Sequence, residues 1–170
     1  MVGRIMNSRQ AGLASVEVAI VGAVFFLALF AVIETGRLLW TWETLNEATR
    51  RGARVAAVCP RDHPSIANVA VFNNPSSGGG SAVLPDLSTD DVNISYFDVN
   101  GNPPVDWCAI EYVRVSINYR HRFAVPVFFG IGEFLDAPDF ETTLPRESLG
   151  KVPGVGYQCF GVASATPVCI

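Results

Sequence analysis

The spacing with the clearest chemical consequence in this chain is Gly12-Leu13 followed by Glu17. The glycine stands directly before a long apolar run, and the glutamate is the lone acid near its start. Leu13 and Glu17 are four residues apart, so they share one helix face about 6 Å apart along the axis. A bare carboxylate in hydrocarbon costs on the order of 2.5 kcal/mol or more on insertion scales. A glutamate placed there therefore implies a partner. The plainer alternative is a side chain that snorkels to the headgroups from near the helix end.

Other constellations are sparse. Cys59, Cys108, Cys159 and Cys169 are even in number and contain no CxxC. His63 and His121 do not lie at metal-ligand spacing from them, so zinc is disfavoured and neither a metal nor a cofactor is expected. The thiols read as two disulfides in an oxidising compartment, out of three possible pairings. The pairing preferred here is Cys59 with Cys108, fastening helix end to sheet, and Cys159 with Cys169, closing the tail. Asp62-His63 sits in a proline-flanked loop and reads as solvated. Neither GxSxG nor HExxH occurs, so no enzyme activity is expected.

These residues are carried by an element that reads plainly. Residues 13–33 form a twenty-one-residue stretch interrupted only by Ser15 and Glu17. It spans roughly 31 Å as a helix, close to the hydrocarbon thickness of a bilayer. The leader, residues 1–12, carries Arg4 and Arg9 and no acid. That bias puts the N-terminus in the cytoplasm and sends the rest of the chain outward. No small-x-small site follows the run, so the apolar helix stays with the protein. Trp40 and Trp42 fall where an aromatic belt would meet the far interface, and Glu34 and Arg37 are spaced to pair.

Beyond the membrane, residues 35–58 lack proline and place Leu38, Trp42, Leu45, Ala48, Gly52, Val55 and Cys59 on one stripe. Glu43, Glu47, Arg50, Arg51 and Arg54 occupy the other side, with Glu47 and Arg51 a four-apart pair. One helix over residues 13–58, roughly 69 Å long, is expected to end at Pro60. Residues 73–81 form a surface loop. Residues 92–99 read as a half-buried strand, and Asn100-Gly101 with Pro103 and Pro104 as turn chemistry. Residues 110–123 alternate Val113, Val115, Ile117, Tyr119 and Phe123 against Arg114, Ser116, Asn118, Arg120 and Arg122, one continuous strand whose basic face is solvated. Residues 125–135 are apolar enough to be core. The fold expected is α+β, a long N-terminal helix packed on a small antiparallel sheet. Its divisions are a leader at 1–12, a transmembrane helix at 13–34, an amphipathic continuation at 35–59 and a β-rich extracytoplasmic domain at 60–170.

Composition limits the functions. The chain has 170 residues, net charge -4, 49% hydrophobic residues and a mean hydropathy of +0.30, which exclude a disordered chain. Residues 60–170 hold twelve acids against six bases. An acidic body of this kind lacks the basic patch that nucleic acid requires.

The residues Gly12-Leu13-Ala14-Ser15-Val16-Glu17 resemble the type IV prepilin site, which a membrane aspartic peptidase cuts after glycine on the cytoplasmic side. With the following VAIVGAVFFLALFAVIETGRLLW and ETLNEATRRGAR, they resemble the TadE-like family of minor pilins, or pseudopilins, of tight-adherence (Flp, Tad) pili. The resemblance is strongest over residues 9–58. Farther on, residues 113–123 and FETTLPRESLG at 140–150 are similar to the end of the family's domain. It implies cleavage between Gly12 and Leu13 by a prepilin peptidase, residence in inner-membrane lipid with a periplasmic C-terminal domain, and other pilins or pseudopilins of the Tad machinery as partners. It further implies a part for Glu17 in assembly, and roles in pilus assembly, adhesion and biofilm formation. Val18 stands where members commonly carry an aromatic, and the tail beyond Gly150 is an extension. The competing reading is an unprocessed single-pass protein with an extracytoplasmic binding or sensory domain.

Overall fold

A computed structural model of the chain describes residues 8–122, 134–136 and 138–163. A single helix, α1, runs from Ser8 to Val58 without a break, 51 residues or about 76 Å. It is followed by a short helix α2 (Pro64–Ala70), strands β1 (Val92–Phe97) and β2 (Tyr112–Ile117), and β5 (Phe140–Pro145). These three strands form an antiparallel sheet in the order β1-β2-β5. Between β2 and β5 lies a separate ribbon of β3 (Arg120–Arg122) and β4 (Phe134–Asp136). The tail folds into three very short strands, β6 (Lys151–Val152), β7 (Gly156–Cys159) and β8 (Val162–Ala163). The expected α+β arrangement, a long helix with a small antiparallel sheet, is what forms.

The second half of α1 carries the domain. Leu45, Ala48, Gly52, Ala53, Ala56 and Cys59 are buried against α2, β2 and β5. The stripe expected from the sequence is right at its centre and wider than the apolar residues alone suggested, because Thr41 and Thr49 are buried too. Their hydroxyls are satisfied. Thr41 donates to the carbonyl of Arg37 and Thr49 to that of Asn46, while Thr49 accepts from Thr142 of β5 at 3.0 Å. Small residues let the helix approach closely. A β-carbon on Gly52 would lie 3.0 Å from both Ala70 Cβ and Val115 Cγ1.

On β2, Val113, Val115 and Ile117 point inward, as the alternation predicts. The strand does not continue to residue 123, however. At Asn118 the backbone N–H donates to Asp91 O, the last rung in register with the β1–β2 ladder, and the buried Tyr119 hydroxyl donates to Pro85 O at 2.9 Å. Beyond that rung the chain changes partner, and Arg120 and Arg122 belong to β3, paired with β4 in a different sheet. A single basic strip is therefore absent. Arg114 instead lies over the Phe97 ring, donates to Thr143 and pairs with Glu141 across β2–β5. Phe123 and residues 125–133 of the apolar run lie outside the described residues.

His63 is the other revision. It is buried rather than solvated, and its Nδ1 accepts from the backbone N–H of Ser65 to cap α2, whose first residue is proline. Nearby, the Tyr96 hydroxyl accepts from the Asp62 backbone N–H, and the Arg61 guanidinium covers its ring. Burial pushes the Tyr96 phenol up to about 12 from its ordinary 10.0.

Two outcomes follow from this packing. Gly52→Leu should lower stability by about 1–3 kcal/mol or more through overpacking, whereas Gly22→Leu, with nothing within 4 Å, should leave the unfolding of the domain unchanged; thermal unfolding in detergent checks both. The folded state holds the Tyr96 proton more tightly than the unfolded one, so this stabilisation is complete below pH 10 and fades as pH rises toward 12. Tyr96→Phe should flatten the fall in stability over that interval, a contribution of about 2–3 kcal/mol; denaturant midpoints at stepped alkaline pH measure it.

Candidate functional site: a bare apolar helix with an anchored end

Among the described residues, nothing packs against the first half of α1. Its most apolar eighteen-residue window contains no buried residue, and it is long and apolar enough to cross a membrane. Val18, Val21, Phe25 and Val32 are each more than half exposed. Such a surface in water would be a far larger apolar patch than soluble proteins carry. Farther along α1, hydroxyls are satisfied within the helix: Thr35 donates to Ala31 O and Thr44 to Trp40 O. Glu34 receives Arg37 at 2.9 Å on both carboxylate oxygens, as the spacing predicted. Trp40 presents its ring outward, while Trp42 is half-buried with an enclosed Nε1, so only one of the two expected belt residues faces the surroundings.

Near the N-terminal end a shallow groove of about 550 Å³ runs along one flank, lined by Ala14, Glu17, Val18, Val21, Gly22 and Phe25. Its members fall at three- and four-residue intervals, so they make a single stripe. Ala14 and Gly22 are small enough to admit a second helix, and small residues favour close approach in lipid. Glu17 is exposed on this stripe, an acceptor-only group in the apolar zone. The Leu13 side chain lies outside the described residues. Gly12 lies inside the helix rather than directly before it, as the expected start at residue 13 implied: α1 begins at Ser8, and open space surrounds Gly12. A protease acting there must first unwind the opening turn, which frays most readily in any helix.

The far end of α1 is tied down on several sides. The last carbonyls of a helix lack intrahelical donors. Here Glu147 N–H and Leu149 N–H both donate to Ala57 O, and the Ser148 hydroxyl donates to Val58 O. Arg146 braces this loop by donating to Cys108 O and pairing with Glu111. Gly150, at φ +83°, brings the chain so close to Pro60 that a β-carbon would sit 2.5 Å from the proline ring. The tail then returns Cys159 to the helix end, where it bonds Cys59 with the Cα atoms 5.1 Å apart. This corrects the preferred pairing of Cys59 with Cys108 and Cys159 with Cys169. Helix end and tail are the partners, because Gln158 N–H donates to Gly150 O and lays β7 beside Pro60. Cys108 is also disulfide-bonded, and Cys169 lies outside the described residues.

Among the described residues no cluster of His, Cys, Asp or Glu is arranged to hold a metal ion. A cleft of about 460 Å³ beside α2 is lined by His63, Ser65, Asn68 and Pro75 among others. Its polar groups are engaged in structure: Ser65 and Asn68 both donate to Pro75 O, and His63 caps the helix. The candidate functional surface is therefore α1.

Residues 12–54 match the TadE-like protein family. The match begins at Gly12 and stops about one turn before α1 ends. It therefore covers the bare apolar half, Glu17, and most of the stripe that holds the domain. No curated protein and no solved structure shows a significant match to the chain. The TadE-like segment is thus a helix, and the loop that caps it, the tail and its disulfide lie beyond the matched residues.

The cross-link spans a sequence separation of 100. Replacing both partners, Cys59→Ser with Cys159→Ser, should therefore destabilise the domain by about 4–5 kcal/mol in the chain-entropy account. Denaturant unfolding under non-reducing conditions measures this, and an unchanged midpoint would show that the tail is no staple.

Proposed function

We propose that this chain is a membrane-anchored minor pilin or pseudopilin of a tight-adherence (Tad, Flp) pilus, a structural subunit and not an enzyme. The observation that carries the reading is one unbroken helix whose first half is bare and apolar and whose second half is buried under a small disulfide-linked domain, with the TadE-like match lying on that helix. In this reading residues 1–12 are a cytoplasmic leader, 13–34 cross the inner membrane, and 35–59 lift the periplasmic domain at 60–170 off the bilayer. A prepilin peptidase removes the leader after Gly12, and the new amine on Leu13 meets Glu17 of its own or a neighbouring subunit. Lipid covers the apolar face before assembly and other pilin helices cover it afterwards, so the same surface serves storage and packing. Pilus assembly, adhesion and biofilm formation are the processes such a subunit serves.

The basic residues of the leader support the orientation, since positive charge is retained on the cytoplasmic side. Exposure of Glu17 on a stripe with Ala14 and Gly22 supports contact with another helix there.

Intact mass and N-terminal sequencing of the protein from its native host test the reading. The expected chain begins at Leu13, and Gly12→Val should retain the leader. Glu17→Ala should insert into the membrane and be cleaved normally, yet leave subunits unassembled in the membrane fraction. Native material beginning at Met1 would overturn the processing step, and normal piliation with Glu17→Ala would remove that residue from assembly.

A further inference from the structure

The outer face of α1, opposite the domain, carries charges in an order that the folding of the chain does not use. Glu43, Glu47, Arg50 and Arg54 lie at three- and four-residue intervals and are all exposed, whereas Leu45, Ala48 and Gly52 on the other side are buried. They form two blocks, acids nearer the membrane and bases farther out. Glu47 reaches Arg51 at 3.9 Å, with both side chains about half exposed. Among the described residues Glu43, Arg50 and Arg54 make no ion pair within the chain.

We propose that this face docks a second copy of the chain, parallel and displaced by two helical turns. The displacement follows from arithmetic on the residue numbers. Arg50 is seven residues beyond Glu43, and Arg54 is seven beyond Glu47. A shift of seven residues, about 10.5 Å, returns a helix to nearly the same face. At that offset Arg50 of one copy meets Glu43 of the other while Arg54 meets Glu47, and both domains point away from the contact. At zero offset the same face sets Glu against Glu and Arg against Arg, and like charges at helix-pair distance repel. Antiparallel pairing, which would also match the blocks, is denied to two chains inserted the same way in one membrane.

The consequence rests on the membrane anchoring of the pilin reading, though not on cleavage. In a flat bilayer both apolar runs settle at one depth, which enforces zero offset and keeps copies apart. A copy drawn outward by two turns exchanges that repulsion for two opposite-charge contacts. The charge order thus discourages pairing in the membrane plane and favours a staggered arrangement.

The test uses full-length chain bearing two different affinity tags, co-expressed in a host without pilus genes and captured from mild detergent, where depth is no longer imposed. The all-basic face Glu43→Arg/Glu47→Arg and the all-acidic face Arg50→Glu/Arg54→Glu should each lose self-capture by about tenfold, the scale of two to three exposed pairs. Mixing the two variants should restore capture to the wild-type level or above. Register is read from single changes: Glu43→Arg should be rescued by Arg50→Glu and not by Arg54→Glu. Retention of the Cys59–Cys159 bond by peptide mapping certifies that each variant is folded. Undiminished self-capture by both variants, or a mixture that stays apart, would overturn the proposal, and the latter would assign the face to a different helix. Because the host lacks a prepilin peptidase, these outcomes are independent of whether Gly12 is cleaved.

Discussion

An apolar helix surface more than 30 Å long is unfavourable in water, and among the described residues nothing covers it. Every other feature of the molecule accommodates this constraint. The bare half of α1 is long and apolar enough to cross a membrane, and lipid and other helices offer it surfaces of similar polarity. A transfer between those two environments therefore costs little in hydrophobic terms. What distinguishes them is the placement of the few polar groups, and in this chain these are Glu17 at one end and the Glu34–Arg37 pair at the other.

The domain solves a complementary problem. It holds one end of α1, over residues 41–59. Small residues at Gly52, Ala53 and Ala56 bring α1 against β2 and α2 at close range. The carbonyls at the end of the helix are met by the backbone of residues 147–149, and the tail adds a covalent link to Cys59. Loop and tail are far from the helix in sequence, so the anchor forms only when the whole domain has folded. Helix termini that are buried need such partners, and here hydrogen bonds and a disulfide supply them together.

The same helix shows a division between its two faces. Toward the domain its polar residues are threonines whose hydroxyls find carbonyls or each other. Away from the domain it carries full charges that remain exposed. Charge of this kind adds little to the stability of a monomer. It acts chiefly on what approaches, and its ordering along the axis makes it sensitive to register.

The sequence by itself determined the long helix, its apolar and charged stripes, the two helical ion pairs and the inward face of β2. Each of these depends on neighbours within a turn or on simple periodicity, which the residue order states directly. Tertiary structure decided the rest. The alternation through residues 118–122 reads as one strand, yet the β1–β2 ladder ends at Asn118 and residues 120–122 pair with β4 instead, a change of partner that periodicity does not reveal. His63 became a buried cap because Pro64 starts a helix that no long pattern announces. Disulfide pairing was undecidable among three options, since it depends on where the tail returns, and Gly150 settles that return by letting the chain pass against Pro60 at a backbone angle closed to most side chains. Local order is written in the spacing of residues, whereas contacts between distant segments depend on how loops close, and their geometry emerges only when the core has formed.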